Sequence, residues 1–254
     1  MKRFKRLILI LLILNFIPYN SYAQSRLKDT IYIDKKKSVK YESLIVPTIL
    51  ISYGIIGLEN KGIKSVNEDI HQQISNQNFR NSNIDEFTQY IPTLSVYGLN
   101  ALGINGKNNF KDRTIILATA TLIMTSTTLG LKSIAKVDRP NLGSNDSFPS
   151  GHVAKAFMGA EYLYQEYRDV SLWYGISAYV VAAGTGALRI YNDEHWLTDV
   201  VTGAGIGILS TKVAYWLKPF IDHKILKSNK KNISSTIFPS YDGENIIVGM
   251  FVFF

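Results

Sequence analysis

Six apolar stretches follow one another along the chain, at residues 44–58, 90–104, 114–134, 153–164, 172–190 and 196–217, with polar connections between them. Several approach the roughly 20 apolar residues that a helix needs to cross a bilayer. Small residues crowd two of them, in Ala182-Ala183-Gly184-Thr185-Gly186-Ala187 and Gly203-Ala204-Gly205-Ile206-Gly207, and small side chains let helices approach closely in lipid. The pattern predicts an all-α, membrane-embedded helical bundle. Two features keep a soluble bundle open as an alternative. Mean hydropathy is only +0.03, and the 153–164 stretch is short and holds Lys155 and Glu161.

The flanks of the stretches orient the bundle. Trp196 and Trp216 bracket the last one, about 30 Å apart at 1.5 Å per residue, which matches a hydrocarbon core. Trp173 opens the stretch before it. Lys107, Lys111 and Arg113 share one connection, and Lys218, Lys224, Lys227, Lys230 and Lys231 follow the last helix, so the positive-inside rule puts both segments in the cytoplasm. Counting helices outward then places the connections after 134 and 190 outside the cytoplasm. If 44–58 also crossed, parity would put 59–89 in the cytoplasm, where the later helices need it outside. At about 22 Å of helical rise, 44–58 is expected to lie in the interface or against the bundle without crossing. Near the C-terminus, β-prone runs either side of Tyr241-Asp242-Gly243-Glu244 predict a short β-hairpin, too little to close a barrel.

Composition narrows the setting. Lys2, Arg3, Lys5 and Arg6 precede an apolar run from Leu7 to Ile17, and Ser21-Tyr22-Ala23 offers a small-residue cleavage site, so residues 1–23 read as a secretory signal. The run is shorter than a bilayer span, which weighs against an uncleaved anchor. The segment carries four basic and no acidic residues, so its removal lowers the formal charge from +8 to +4. A nucleic-acid footprint is not indicated. The chain has no cysteine, which excludes disulfides and thiolate metal sites and suits an oxidising compartment.

Three short blocks carry candidate chemistry: Lys132-x6-Arg139-Pro140, Pro149-Ser150-Gly151-His152, and Arg189-x5-His195-x3-Asp199. Lys132 falls at the end of a long apolar helix, where a cation complements the helix dipole, and Arg139 lies in the loop that leaves it. Taken alone, these read as a snorkelling lysine and a loop arginine. Ser150 and Gly151 open the next helix, with free amides at the positive end of its dipole, a place that receives phosphate readily. An ordinary capped helix start explains both residues but leaves His152 without a purpose. Asp199 follows His195 by four residues, so that on a helix its carboxylate reaches the imidazole and fixes its tautomer. Together the three cations, two imidazoles and one carboxylate suit capture of a phosphate and cleavage of its ester through a histidine nucleophile, without metal. Asp138, Asp146, Asp193 and Glu194 lack a spacing that demands Mg²⁺ or Zn²⁺. Tyr191, Asn192, Asp193 and Glu194 read as a solvated loop beside the site, and His71 and His223 as surface residues.

In order and spacing, the blocks resemble the signature of the type 2 phosphatidic acid phosphatase (PAP2) superfamily, which also includes the vanadium-dependent haloperoxidases. The resemblance covers 86–217 and implies a nucleophile at His195, an orienting carboxylate at Asp199 and a general acid, later base, at His152. It implies phosphate contacts from Lys132, Arg139, Ser150, Gly151 and Arg189, and no cofactor or metal. The family often has Ser before the third-block arginine, where this chain has Leu188; one hydroxyl contact, worth about 1–3 kcal/mol, is missing there. The resulting division is a signal at 1–23, a polar lead-in with peripheral helices at 24–85, a catalytic domain at 86–217 and a basic segment with hairpin at 218–254. The expected activity is phosphomonoester or pyrophosphate hydrolysis on a lipid such as phosphatidic acid, phosphatidylglycerol phosphate, undecaprenyl pyrophosphate or lipid A. The expected setting is the bacterial inner membrane, with the site facing the periplasm. A secreted acid phosphatase on soluble substrates, a vanadate haloperoxidase and a non-catalytic lipid-binding protein are the alternatives. Oligomeric state is not legible.

Overall fold

The computed structural model describes residues 41–75, 83–222, 234–241 and 246–253. The expected signal at 1–23, the lead-in up to residue 40, His223 with the lysines after it, and the 242–245 turn lie outside the described residues. A single 3₁₀ turn, Tyr41–Leu44, leads into eight helices: α1 Ile45–Gly57, α2 Lys61–Ser75, α3 Ile84–Thr88, α4 Ile91–Ala101, α5 Phe110–Ala135, α6 Gly151–Tyr167, α7 Leu172–Tyr191 and α8 Leu197–Phe220. Strands β1, Ser234–Tyr241, and β2, Ile246–Phe253, pair antiparallel, with Ser234 opposite Phe253 and Tyr241 opposite Ile246.

Each of the six apolar stretches is a helix, and local chemistry sets several ends. The Asn109 side chain accepts the Asp112 N–H at 2.9 Å and caps α5, and Ser171 caps α7 by accepting the Trp173 N–H, each satisfying an amide with no partner inside its helix. Lys136 ends α5 in the left-handed region at φ 45°. The helices that no apolar stretch announced are α2 and α3. Ile63, Val66, Ile70 and Ile74 of α2 recur at helical spacing on an otherwise polar segment, so it shows a stripe and no continuous apolar run.

The core lies around α6, which packs on α5, α7 and α8. Buried Val153, Ala154, Ala156, Met158 and Ala160 meet Ile116, Ala120 and Met124 of α5 and Ala178 and Ala182 of α7. Helices α6 and α8 touch backbone to backbone. A Cβ on Gly203 would stand 2.5 Å from the Ser150 carbonyl oxygen, and one on Gly207 2.2 Å from that of Ala154. On the other side of α8, Gly205 meets Pro47, Leu50 and Ile51 of α1, while Gly54 of α1 meets Thr198 and Thr202. Helix α1 thus lies against the bundle, alongside the N-terminal half of α8.

Among the described residues, α5 (26 residues) and α8 (24 residues) are long and apolar enough to cross a membrane; α1 and α2, bent 89° from one another, make a third such segment only if taken as one broken span. Leu122, Leu129 and Ile134 of α5 point away from the protein, as a lipid-facing surface requires. Helix α6 is 17 residues long and buries Glu161 and Glu166. Glu161 is held by Lys212 at 2.7 Å and by the Tyr179 hydroxyl, and Glu166 by Asn108 at 2.6 Å and Tyr215 at 2.5 Å. These contacts satisfy carboxylates that would be costly to bury alone. Trp196, expected at a membrane interface, is only partly exposed: its indole donates to the Asp138 carbonyl at 2.8 Å and its ring meets His71 edge-on.

Candidate active site

Helix direction brings the three blocks together. The contacts of α6 with its neighbours run antiparallel to α5 (Tyr162 hydroxyl to Arg113 carbonyl, Thr121 to Met158) and parallel to α8 (Gly203 at Ser150, Gly207 at Ala154 and Met158). The C-terminus of α5, the N-terminus of α6, the C-terminus of α7 and the N-terminus of α8 therefore share one rim. Lys132, Ser150 to His152, Arg189 and His195 to Asp199 sit at those four ends. Arg139 comes from the α5–α6 loop, which is pinned to the α7–α8 loop by the Asn141 N–H on the Asp193 carbonyl at 3.2 Å.

His195 is 2% exposed and Asp199 fully buried. The expectation of one helical face needs correction, because Trp196 is the extended N-cap of α8 and His195 precedes the helix. Asp199 Oδ2 accepts the Trp196 N–H at 2.9 Å, and this cap turns the chain so that His195 Nδ1 comes within 3.5 Å of the same oxygen. Ser147, absent from the three blocks, completes the arrangement: its hydroxyl donates to Asp199 Oδ2 at 2.5 Å and lies 3.4 Å from His195 Nδ1. Asp199 Oδ1 is buried without a partner. With Nδ1 facing these oxygens, Nε2 is the nitrogen left to react. Burial pushes the His195 pKa below its ordinary 6.5, opposed by Asp199 and assisted by the charges of Arg189 and Lys132, which favours the neutral imidazole.

The cations converge through shared carboxylates. Lys132 donates to the Asp146 carbonyl and stands 3.7 Å from its carboxylate, which Arg139 Nε reaches at 3.0 Å. The Ser144 hydroxyl first, then Arg139 and Lys132, hold the Asp146 carboxyl down at about 2. Arg139 and Arg189 both donate to Glu194 Oε2. Arg189, 2% exposed, also donates to the buried Asp85 at 2.5 Å, and Asp85 accepts from Asn192 at 3.0 Å. His152 Nε2 lies 3.0 Å from Glu86, and this hydrogen bond draws the Glu86 carboxyl below its ordinary value.

Ser150 is the N-cap of α6 by position, but its hydroxyl makes no cap and is buried without a partner, a group free to meet a phosphoryl oxygen. Its N–H is held by the Asp199 carbonyl at 3.1 Å. Two expectations change. The 191–194 loop is not simply solvated, because Glu194 answers two buried or half-buried arginines. His71 is half-buried, 2.6 Å from Asp193. Beside Leu188, the Arg189 guanidinium is oriented by Asp85 and Glu194, acceptors that supply no donor to a phosphate. Asp85 and Glu86 lie on α3, tied to α7 by the Thr88 and Thr185 hydroxyls at 2.8 Å. A boundary drawn at residue 86 cuts between these two site acids. No group of three or more His, Asp or Glu arranged to hold a metal occurs among the described residues.

Residues 113–222 match the model of the PAP2 superfamily. A lipid A 1-phosphatase of Porphyromonas gingivalis is 28% identical over 173 residues, 65% of this chain and 39% of that protein; the chain spans well under half of that relative's length. Two crystal structures resemble it, each with a TM-score of 0.45. One is Aquifex aeolicus LpxE, at 26% identity over 59% of this chain and 95% of that one. The other is a transmembrane PAP2-type phosphatidylglycerolphosphate phosphatase from Bacillus subtilis, at 20% identity over 70% and 98%. The matched segment holds all three blocks; α3, with Asp85 and Glu86, precedes it.

Proposed function

We propose that the protein is a metal-independent phosphatase that hydrolyses a phosphomonoester or pyrophosphate on a membrane lipid through a phosphohistidine on His195. The observation that carries this reading is the convergence at one helix rim of Lys132, Arg139, Arg189 and His152, linked through Asp146, Glu194 and Glu86, with His195, held beside Asp199. In the first step His195 Nε2 attacks phosphorus, the P–O ester bond breaks and His152 gives its proton to the leaving oxygen. In the second, His152 takes a proton from water, whose oxygen attacks phosphorus and releases Nε2. Asp199 and Ser147 hold the Nδ1–H side throughout and stabilise the positive ring that forms. Lys132, Arg139 and Arg189 neutralise the equatorial oxygens, with the Ser150 hydroxyl and Gly151 amide beside them, and such positioning supplies most of the rate in phosphoryl transfer.

Two apolar helices bear on the substrate class: a scaffold in the bilayer receives a lipid headgroup by lateral diffusion. Among lipid phosphates, the 1-phosphate of lipid A is favoured by the Porphyromonas gingivalis relative. The basic 107–113 and post-218 segments support an inner-membrane protein with this rim at the periplasm. Phosphate release from lipid A, phosphatidic acid, phosphatidylglycerol phosphate and undecaprenyl pyrophosphate, measured in EDTA with the parent and His195→Ala, tests the reading. Release from at least one lipid, abolished by the substitution, is expected; a His195→Ala protein as active as the parent would end it.

A further inference from the structure

Among the described residues, three basic side chains at the rim, Lys132, Arg139 and Arg189, face four carboxylates, Asp85, Glu86, Asp146 and Glu194. A phosphate entering such a place meets no surplus of positive charge. The four acids differ in what else they hold. Asp85 is buried and binds Asn192, Asp146 accepts from Ser144, and Glu86 reaches out to His152. Glu194 is different: one oxygen, Oε2, accepts from both Arg139 Nη1, at 3.3 Å, and Arg189 Nη2. An acceptor oxygen between two guanidinium forks is what a phosphoryl oxygen becomes on binding. Its tether is short, since the Glu194 N–H donates to the Arg189 carbonyl at 3.1 Å and His195 is the next residue.

We propose that Glu194 is an internal competitor for the phosphate pocket: its carboxylate occupies a phosphoryl-oxygen position between Arg139 and Arg189 and must swing out before any phosphate binds. The inference rests on the phosphatase reading and adds to it a residue that sets the affinity for phosphate itself. A pocket open one-tenth of the time loses about tenfold in apparent affinity. The loss falls equally on every phosphate, yet its consequence differs by source. A lipid held in the same membrane arrives at high local concentration and still fills the site. Inorganic phosphate, which is also the product, and soluble monoesters are kept below saturation.

The test uses the full chain in detergent and three variants, Glu194→Gln, Glu194→Ala and Glu194→Asp. Binding of inorganic phosphate is measured by calorimetry, and its inhibition constant is measured against hydrolysis of a lipid phosphate. Expected are a roughly tenfold or greater tightening of phosphate in the Gln and Ala variants, a smaller one in Asp, and a lower KM without a gain in kcat. Unchanged or weaker phosphate binding in Glu194→Gln and Glu194→Ala, with thermal unfolding like the parent's, would overturn the proposal and make Glu194 a positioning partner of the arginines. If those two variants unfold, Glu194→Asp decides: its retracted carboxylate must tighten phosphate, and parent-like binding refutes the idea. The calorimetric arm does not need activity, so a parent that hydrolyses no lipid phosphate sinks the phosphatase reading while tighter phosphate in the variants still supports the competitor.

Discussion

Replacing Ser147 by Ala tests how the nucleophile is held. The Ser147 hydroxyl and Asp199 are both buried, and their 2.5 Å hydrogen bond shares Asp199 Oδ2 with the Trp196 N–H at 2.9 Å. Direct contact between His195 Nδ1 and Asp199 is 3.5 Å, longer than a good hydrogen bond, and Ser147 Oγ lies as near the ring, at 3.4 Å. A hydrogen bond to a charged group is worth about 1.5–3 kcal/mol. As the ring gains positive charge on attack, the carboxylate that Ser147 holds in line becomes more valuable, so most of that energy is felt in the transition state. At 1.36 kcal/mol per decade, kcat should fall by about 10- to 100-fold, with KM little changed because no phosphate contact is lost. Steady-state phosphate release, with the phosphoenzyme trapped by rapid quench, separates attack from hydrolysis, and thermal unfolding checks the fold. A Ser147→Ala protein with parental kcat and phosphoenzyme formation would refute this account of the nucleophile.

Other outcomes follow from the same geometry. Asp85→Asn removes the one fully buried carboxylate on Arg189 and leaves it the more exposed Glu194 and Glu86; breaking a buried pair outright costs about 3–5 kcal/mol, which sets the ceiling, so at about 2–4 °C per kcal/mol the unfolding midpoint should fall by several degrees and by no more than about 20 °C, read by thermal unfolding in detergent. In the proposed mechanism the neutral His195 ring attacks, and burial depresses its pKa, so activity is expected to persist as pH falls through 6.5 and to be lost only below it. Asp199 raises that pKa, and Asp199→Asn should therefore move the acid limb of kcat/KM to still lower pH while reducing its height; a limb at or above 6.5 in the parent contradicts the burial argument. Gly207→Ala drives a Cβ to 2.2 Å from the Ala154 carbonyl oxygen and 2.7 Å from the Met158 amide nitrogen. Backbone atoms cannot step aside as a side chain does, so the α6–α8 contact should open at a cost of about 1–3 kcal/mol or more, visible as a lower midpoint than for substitution at Gly184, which has nothing within 4 Å.

The helices and the order of the chemistry were legible in the chain itself. Apolar runs of helical length, ended by short polar loops, determine where α1 and α4–α8 lie to within a few residues, because burial and helix length are local demands. Once α5 to α8 alternate in direction, Lys132, the 150–152 start, Arg189 and His195 have little choice but to share a rim. Small residues at Gly203 and Gly207 announced a close helix contact without naming its partner. Tertiary structure alone decided who answers each charge. Asp85 meets Arg189 across 104 residues and Glu86 meets His152 across 66, and no periodicity links positions so far apart. Ser147 sat two residues outside a recognised block, yet folding set its hydroxyl between the imidazole and the carboxylate. Glu194 is next to His195 in sequence but reads as loop until the folded chain places two guanidiniums on its oxygen. The physical reason is common to all: an apolar face is a property of one segment, whereas a buried charge is satisfied only by whatever the rest of the fold brings to it.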